Sequence, residues 1–224
     1  MKRPYYEAYE ERYRAVHAAG LRWAGEQPTP LVADVAARYC PEGASILEIG
    51  CGEGRDACAM LAQGWDLLAT DAAPEAVDFC RAAMPDYAGR FQTLDCLRDS
   101  HEARYDMIYA VAVIHMLVPD DDRRGFYRFI REHLKPGGVG LVCSMGDGET
   151  EMQSDVSKAF ELQERDHPAG PQRVAATSCR MVSFPTFARE IEESGMLILE
   201  RGFTSAEPDF NQLMYAVIRR GAMR

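Results

Sequence analysis

The sequence is short of positive charge, of long apolar runs and of a secretion signal. Its 224 residues include 25 Lys and Arg against 35 Asp and Glu, which gives a formal net charge of −10. Because nucleic-acid binders need cationic surface to displace counterions from phosphate, this charge disfavours a nucleic-acid partner. No apolar run approaches the roughly 20 residues that cross a bilayer, and the N-terminal MKRPYYEAYEERYR has no apolar segment typical of a signal peptide. We therefore expect a cytoplasmic protein with neither a membrane nor a nucleic-acid partner.

Metal-binding and redox motifs are also missing. The seven cysteines include no CxxC pair, and the five histidines show no HxxxH or HExxH spacing. Dispersed cysteines inside apolar stretches are typical of buried, reduced thiols. We therefore expect no metal site.

The sequence does contain a regular alternation of apolar strands and amphipathic helices, which is typical of an α/β fold. Strands are predicted at Ser45–Gly50, Trp65–Thr70, Arg90–Leu94, Tyr105–Ala110, Val139–Ser144, Met196–Gly202 and Leu213–Arg219, the last of them ending the sheet. Helices are predicted at 5–20, 31–39, Arg55–Gln63, Glu75–Met84, Asp121–Leu134 and Pro185–Ser194. Continuous apolar runs such as YDMIYAVAVI indicate central parallel strands covered on both faces. The length and the absence of repeats or linkers predict one domain over residues 1–224.

Two segments are expected to lie outside the alternating strands and helices of the domain, one as a lid and one as a cap. After Ser144 the alternation stops, and residues from about 145 to 183 are polar and glycine-bearing, with one helix expected around Ser154–Glu164. An irregular stretch of this length in a compact domain indicates a lid or substrate-binding insertion. Residues 1–30 are expected to form an N-terminal cap, made of a helix and a loop.

Glycines occupy alternate positions just after the first strand, in LEIGCGEGRDA at residues 47–57. A glycine loop between a strand and a helix lets backbone N–H groups approach a nucleotide-like ligand. A phosphate-binding P-loop is excluded because no lysine lies nearby, and a dinucleotide fingerprint is disfavoured because Arg55 stands where its third glycine belongs. Asp71 ends the second strand and suits a ribose diol, which by itself does not distinguish between nucleotide ligands.

The pattern Glu48-x-Gly50-x-Gly52-x-Gly54 resembles the first motif of the class I S-adenosylmethionine (SAM) dependent methyltransferases. Further landmarks follow in that family's order, namely GWDLLATDAAPEAV, FQTLDCL, YDMIYAVAVIHML and LKPGGVGLVCS. The resemblance implies a doubly wound, Rossmann-like sheet of seven strands, mostly parallel with one antiparallel edge strand, and helices on both faces. The N-terminal helix and loop are loosely similar to those of small-molecule members such as the thiopurine and tellurite methyltransferases.

The resemblance also implies which residues bind SAM. The implied set is Glu48, Gly50, Cys51, Gly52, Gly54, Asp71, Ala72, Asp95, Cys96 and Ala110. In this set Asp71 would bind the ribose and Asp95 with Cys96 the adenine. The glycine loop and Ala110 would meet the methionine tail, and Glu48 would orient the loop.

Residues for the methyl acceptor are less clearly indicated, because the sulfonium already activates the methyl group and the family has no universal catalytic residue. His115, which follows the fourth strand, is the candidate general base, with simple packing as the alternative. The candidate acceptor-binding residues are Tyr5, Tyr6, Tyr9, Tyr13, Trp23, His115, Arg173 and Arg180. The rings could stack on a flat substrate or face the sulfonium, and the arginines could bind an anion. For the tyrosines, packing of the first helix is the alternative.

These features together predict an enzyme that transfers a methyl group from SAM to N, O or S of a small, aromatic or heterocyclic metabolite, leaving S-adenosylhomocysteine. A protein or RNA methyltransferase is the nearest alternative. An NAD(P)-dependent oxidoreductase and a non-catalytic SAM-binding partner are more distant ones. The oligomeric state is left open.

Overall fold

The computed structural model describes residues 3–221 and is built around one large sheet. The helices are α1 (Ala8–Ala18), α2 (Pro30–Tyr39), α3 (Arg55–Ala62), α4 (Pro74–Ala83), α5 (Asp120–His133) and α6 (Phe184–Glu193). The strands are β1 (Ser45–Ile49), β2 (Asp66–Asp71), β3 (Phe91–Thr93), β4 (Tyr105–Val111), β5 (Leu134–Met145), β6 (Met152–Gln153), β7 (Leu162–Arg165), β8 (Gln172–Ala175), β9 (Arg180–Met181), β10 (Met196–Ala206) and β11 (Phe210–Arg220). Short 3₁₀ turns lie at Tyr5–Glu7, Pro85–Arg90, Ile114–Met116 and Val156–Lys158.

The large sheet has seven strands in the order β10-β11-β5-β4-β1-β2-β3. Strands β3, β2, β1, β4 and β5 pair in parallel, whereas β11 runs antiparallel to both of its neighbours. The predicted doubly wound sheet, mostly parallel with a reversed strand at one side, is confirmed. The reversed strand β11 does not end the sheet, because β10 lies outside it. Five buried apolar side chains on both faces of β11 suit this interior position, while β10 is largely half-exposed.

Helices cover both faces of this sheet, because the central strands are apolar on both sides. Along β4, Met107, Tyr109 and Val111 pack in a cluster with α2, α3 and α4. The alternate residues Ile108 and Ala110 pack in a second cluster with α5 and α6. This period of two is the expected side-chain alternation of a strand buried on both faces.

The segment between β5 and α6 forms two small antiparallel sheets, one of β6 with β9 and one of β7 with β8. The helix predicted at Ser154–Glu164 is wrong, since this stretch contains only the 3₁₀ turn at Val156–Lys158 and the start of β7. The sequence after β7 holds Pro168, Gly170 and Pro171, which favour a turn back into β8. Helix α1 then packs on β8, so a distant element stabilises the hairpin.

This topology brings the carboxyl ends of β1, β2 and β4 to one edge of the sheet, where parallel α/β folds place their ligands. Among residues 3–221, the helices are all too short or too polar to cross a membrane.

Candidate functional site

A cavity of about 1000 Å³ lies at the carboxyl ends of β1, β2 and β4. Its floor is the glycine loop with the ends of β2, β3 and β4, and one side is the inner face of α1. Residues 164–168 and 176–179 of the insertion and the turn at 208–210, between β10 and β11, complete the wall. The volume is at the upper end of the range of roughly 300–1,000 Å³ for small-molecule sites. The predicted cap and lid segments therefore both contribute to this cavity.

Two glycines of the loop could not be replaced without moving the backbone or a neighbour. Gly50 and Gly52 line the cavity with φ angles of 73° and 52°. A Cβ would lie 2.4 Å from Val113 Cγ2 at Gly50, and 2.9 Å from Tyr13 Oη at Gly52. The missing side chains leave the main chain of the loop open to a ligand. Gly54 does not line the cavity and instead precedes the first turn of α3.

Asp71 holds this loop against the end of β2. Its Oδ2 accepts a hydrogen bond from the Gly52 N–H and its Oδ1 from the Ala73 N–H, both at 2.8 Å. Burial raises the pKa of the Asp71 carboxyl, and the two N–H groups oppose this rise. Ala72 also lines the cavity, and the Cys51 N–H donates to the Thr70 carbonyl at 2.8 Å. Each carboxylate oxygen of Asp71 keeps lone-pair capacity for a further donor.

Asp95 and Cys96 form the adjoining wall, after β3. The Tyr6 hydroxyl donates to Asp95 Oδ2 at 2.8 Å, and the Leu97 N–H donates to Oδ1 at 2.9 Å. Burial raises the pKa of the Cys96 thiol, so it remains protonated. The predicted adenine-binding residues therefore share this cavity with the glycine loop and the cap helix.

Glu48 presents a buried carboxyl group to the cavity wall. The residue is 3 % exposed, and its Oε2 has no hydrogen-bond partner within residues 3–221. Burial, followed by the nearby charge of Asp56, raises the pKa of Glu48 well above its ordinary value. A buried oxygen without a partner is uncommon in folded proteins.

His115 is buried and neutral. It is 4 % exposed, on the 3₁₀ turn that follows β4, and its Nδ1 accepts a hydrogen bond from the Met145 N–H at 3.3 Å. This contact assigns the proton of the neutral ring to Nε2. Burial, aided by the charge of Arg123, lowers the pKa of His115 to about 3. The ring is thus a weak base with an N–H to donate.

Aromatic side chains of the cap line the same space. Tyr6, Tyr9, Tyr13 and Trp23 all contribute to the wall, and the Tyr9 hydroxyl donates to the Ser178 carbonyl at 3.1 Å. Tyr5 lies outside the cavity, because its hydroxyl is held by the Asp122 carboxylate at 2.8 Å and by the Val118 N–H at 3.0 Å.

Three other predicted residues also lie elsewhere. Ala110 is fully buried inside β4, and Val111 and Ala112 reach the cavity in its place. Arg173 is exposed on β8. Arg180 lines a separate, shallower depression, where it donates to the Val118 carbonyl at 2.7 Å and pairs with Asp120 at 2.6 Å. The structure does not bring these residues to the predicted site.

Several lining residues were not predicted from the sequence. Glu53 accepts hydrogen bonds from the Trp23 and Ala24 N–H groups, both at 2.8 Å, and so joins the cap to the glycine loop. Arg12 and Phe210 also line the cavity. The one available signal for Arg12 was that it follows Tyr9 by three residues, because residues three apart lie near each other on a helix. No local pattern marks Phe210.

Backbone strain is concentrated at this cavity. Among the described residues, Ala112 and Thr177 are the non-glycine residues with left-handed φ angles, 59° and 61°, and both line it. Such conformations are unfavourable for these residue types and are enriched at functional sites. This observation points to the same site as the glycine loop.

Residues 47–139 match a family described as "Methyltransferase domain". Over 117 residues the chain is 34% identical to a ubiquinone biosynthesis O-methyltransferase of Xanthomonas campestris pv. campestris (strain B100), an alignment that covers 50% of this chain and 47% of the relative. The chain therefore spans about half the length of the curated relatives that it matches.

Solved structures share the fold over nearly the whole chain. The 1,6-didemethyltoxoflavin-N1-methyltransferase of Burkholderia thailandensis, with 1,6-didemethyltoxoflavin and S-adenosylhomocysteine bound, has a TM-score of 0.70 at 16% identity and covers 99% of this chain and 92% of its own. The glycopeptide N-methyltransferase MtfA in complex with SAM has a TM-score of 0.64 at 22% identity and covers 88% of this chain and 95% of its own. At these identities the likeness shows the fold. This fold, together with the match of residues 47–139 to a methyltransferase domain, is what the resemblance of the sequence to the class I SAM-dependent methyltransferases implied.

Proposed function

We propose that this chain transfers a methyl group from SAM to N, O or S of a small, aromatic or heterocyclic metabolite. One observation carries the proposal. The glycine loop, Asp71 and Asp95 line a single cavity and belong to the segment that matches a methyltransferase domain. The cavity volume of about 1000 Å³ leaves room for a second small molecule beside SAM.

The residues of the cavity fit SAM. Gly50 and Gly52 expose main chain where any Cβ would collide with Val113 or Tyr13, which suits the close approach of an amino-acid tail. Asp71 has lone pairs left for ribose hydroxyls, and Asp95 lies beside it with one oxygen held by Tyr6. When bound, SAM supplies a methyl group that its sulfonium has already activated.

On the acceptor side, the chain's own residues position the nucleophile and exclude water. His115 holds a proton at Nε2 and has a lowered pKa, so its contribution is a hydrogen bond to the acceptor rather than the removal of a proton. Tyr9 and Trp23 supply flat apolar surface, and residues 164–168 of the insertion form part of the wall. Rate enhancement would then come from alignment and desolvation of the nucleophile.

The first test is binding of S-adenosylhomocysteine to the purified chain, measured by calorimetry and compared with NAD(H). The Asp71→Asn variant should bind S-adenosylhomocysteine at least about tenfold more weakly, because a carboxylate that accepts hydrogen bonds is lost. Asp78→Asn is the matched control, since Asp78 is an exposed carboxylate of α4 outside the cavity.

A ligand comparison separates a ribose contact from simple disturbance of the loop. The wild type should lose affinity when 5′-methylthioadenosine is replaced by its 2′,3′-dideoxy analogue, and Asp71→Asn should lose little. Equal losses in both proteins would contradict the ribose assignment. Methyl transfer from labelled SAM to a panel of N, O and S acceptors then tests the activity, and the absence of turnover with every small molecule in the panel would count against it.

A further inference from the structure

Within residues 3–221, Arg12, on the cavity face of α1, is a buried cation without an acidic partner. It is 7 % exposed, and across residues 3–221 no Asp or Glu oxygen lies within 4.0 Å of its guanidinium. Its Nε is buried and has no hydrogen-bond partner in that part of the chain. By contrast, the fully buried Arg123 is paired with Glu190 through two hydrogen bonds of 2.8 and 2.7 Å. Arg12 therefore differs from Arg123 in having no counter-charge among the described residues.

The partners that Arg12 does have belong to the insertion. Its Nη2 donates to the carbonyls of Ala175 and Ala176, both at 2.9 Å, and to Thr177 Oγ1 at 2.7 Å. These neutral acceptors orient the side chain but do not neutralise it. These contacts place Arg12 on the side of the cavity that the insertion lines, which we take as the acceptor side, while Tyr13, the next residue, faces Gly52 of the glycine loop.

Two aromatic rings flank the same guanidinium. Its central carbon lies 4.6 Å from the ring centroid of Trp23 and 5.3 Å from that of Tyr9. Both rings line the cavity. With Nη2 already donating to the insertion, the rest of this cation, held beside two flat rings, offers a charged hydrogen-bond donor to a carboxylate on a molecule that stacks on those rings.

We infer that Arg12 binds a carboxylate of the methyl acceptor, so that the substrate class is a planar aromatic or heterocyclic acid. This inference rests on the proposed function, because it assigns the acceptor half of the same cavity. Burial of an unpaired charge is unfavourable in the free chain, and a bound carboxylate removes that penalty. The carboxylate of the methionine tail of SAM has the same chemistry, and the experiment separates the two sources.

The experiment measures binding of matched acids and amides by calorimetry, with and without S-adenosylhomocysteine. The probes are 4-hydroxybenzoate, nicotinate and 2-mercaptobenzoate, each paired with its neutral amide. The wild type should bind the acid of at least one pair about tenfold or more tightly than the amide, as expected for a hydrogen bond to a charged group. Arg12→Gln should abolish this preference, and Arg12→Lys should retain part of it.

Arg173→Gln is the control, because it removes the same charge from the insertion hairpin outside the cavity. If Arg12 had a purely structural role, Arg12→Gln would weaken the binding of acids and amides equally. An unchanged acid preference in Arg12→Gln, or the absence of any preference in the wild type, would overturn the inference. If Arg12→Gln does not fold, a wild-type preference that Arg12→Lys leaves undiminished would also overturn it.

Ligands of the donor site distinguish a carboxylate of the methyl acceptor from the carboxylate of the methionine tail of SAM. If Arg12→Gln weakens S-adenosylhomocysteine but not 5′-methylthioadenosine, which lacks the amino-acid tail, while the acid preference persists, Arg12 binds the donor and the inference is wrong. If instead the proposed function is wrong, the wild type should not bind S-adenosylhomocysteine. In that case the acid and amide titrations of the chain alone still decide whether Arg12 is a carboxylate site.

Discussion

Replacing Gly50 by alanine tests how tightly the glycine loop is held at the end of β1. Gly50 and Gly43 share a φ angle of 73°, so alanine is strained equally at both positions. A Cβ at Gly43 would meet no atom of residues 3–221 within 4 Å, whereas a Cβ at Gly50 would lie 2.4 Å from Val113 Cγ2. Gly43→Ala is therefore a control matched in backbone strain and free of steric overlap.

The expected losses of stability follow from the backbone strain and from the steric overlap. Left-handed strain alone should destabilise Gly43→Ala by about 1–2 kcal/mol. The overlap with Val113 should add roughly 1–3 kcal/mol, so Gly50→Ala should lose about 2–5 kcal/mol in all. In the double variant Gly50→Ala with Val113→Ala, the overlap is relieved, and the two substitutions should show a coupling of about 1–3 kcal/mol.

Urea unfolding followed by circular dichroism gives these free energies, and calorimetry gives the affinity for S-adenosylhomocysteine. Gly50→Ala should bind more weakly than the wild type under conditions where it is folded, and Gly43→Ala should bind normally. Equal destabilisation of the two single variants, or no recovery with Val113→Ala, would mean that the loop relaxes freely. The reasoning that a closely held loop forms the donor site would then be refuted.

Two further predictions concern buried ionisable side chains near the cavity. The pKa of His115 is about 3 in the folded chain against an ordinary value of 6.5, so the unfolded chain binds a proton that the folded chain excludes between these values. The stability conferred by neutral His115 is present above pH 6.5 and is lost as the pH falls toward 3. From pH 7 to pH 5 the wild type should lose about 2 kcal/mol more than His115→Asn, and parallel urea midpoints for both proteins would contradict this. Replacing Arg123 by methionine leaves the Glu190 carboxylate without its bidentate partner and should destabilise the chain by about 3–5 kcal/mol in urea unfolding. The exposed neighbour Arg124, replaced in the same way, should change stability by less than about 1 kcal/mol, and similar losses for the two variants would refute the assignment.

The parts of the fold that were predictable from sequence are those with a local signal. Strands such as β1 and β4 are continuous apolar runs, and the boundaries found for them differ from the predictions by a residue at most. Positive φ angles at Gly50 and Gly52 agree with the alternating glycines, because this backbone conformation favours glycine. Asp71 and Asp95 could be placed because the end of each strand was visible in the sequence.

The errors occur where a distant segment decides the structure. The stretch at 154–164 has helical composition, but its pairing with β8 and the packing of α1 on that strand favour a hairpin. Tyr5 shares a helical spacing with Tyr9, yet Asp122 and Val118 hold it outside the cavity. Arg180 was a reasonable anion-binding candidate by type, but Asp120 already neutralises it.

By itself the sequence located the glycine loop and the aspartates of the proposed donor half of the site, because strand ends and glycine turns are properties of a few neighbouring residues. Only the tertiary structure decided which residues surround the proposed acceptor half. The wall there combines α1, the insertion hairpin and the turn between β10 and β11, segments far apart in the chain. The state of a buried group such as Arg12 or His115 depends on which of these segments surround it, since burial and partners set its charge and its hydrogen bonds. Arg12 looks like an ordinary helical residue in the sequence, and it becomes a candidate carboxylate site only when the fold encloses it with no counter-charge from the described part of the chain.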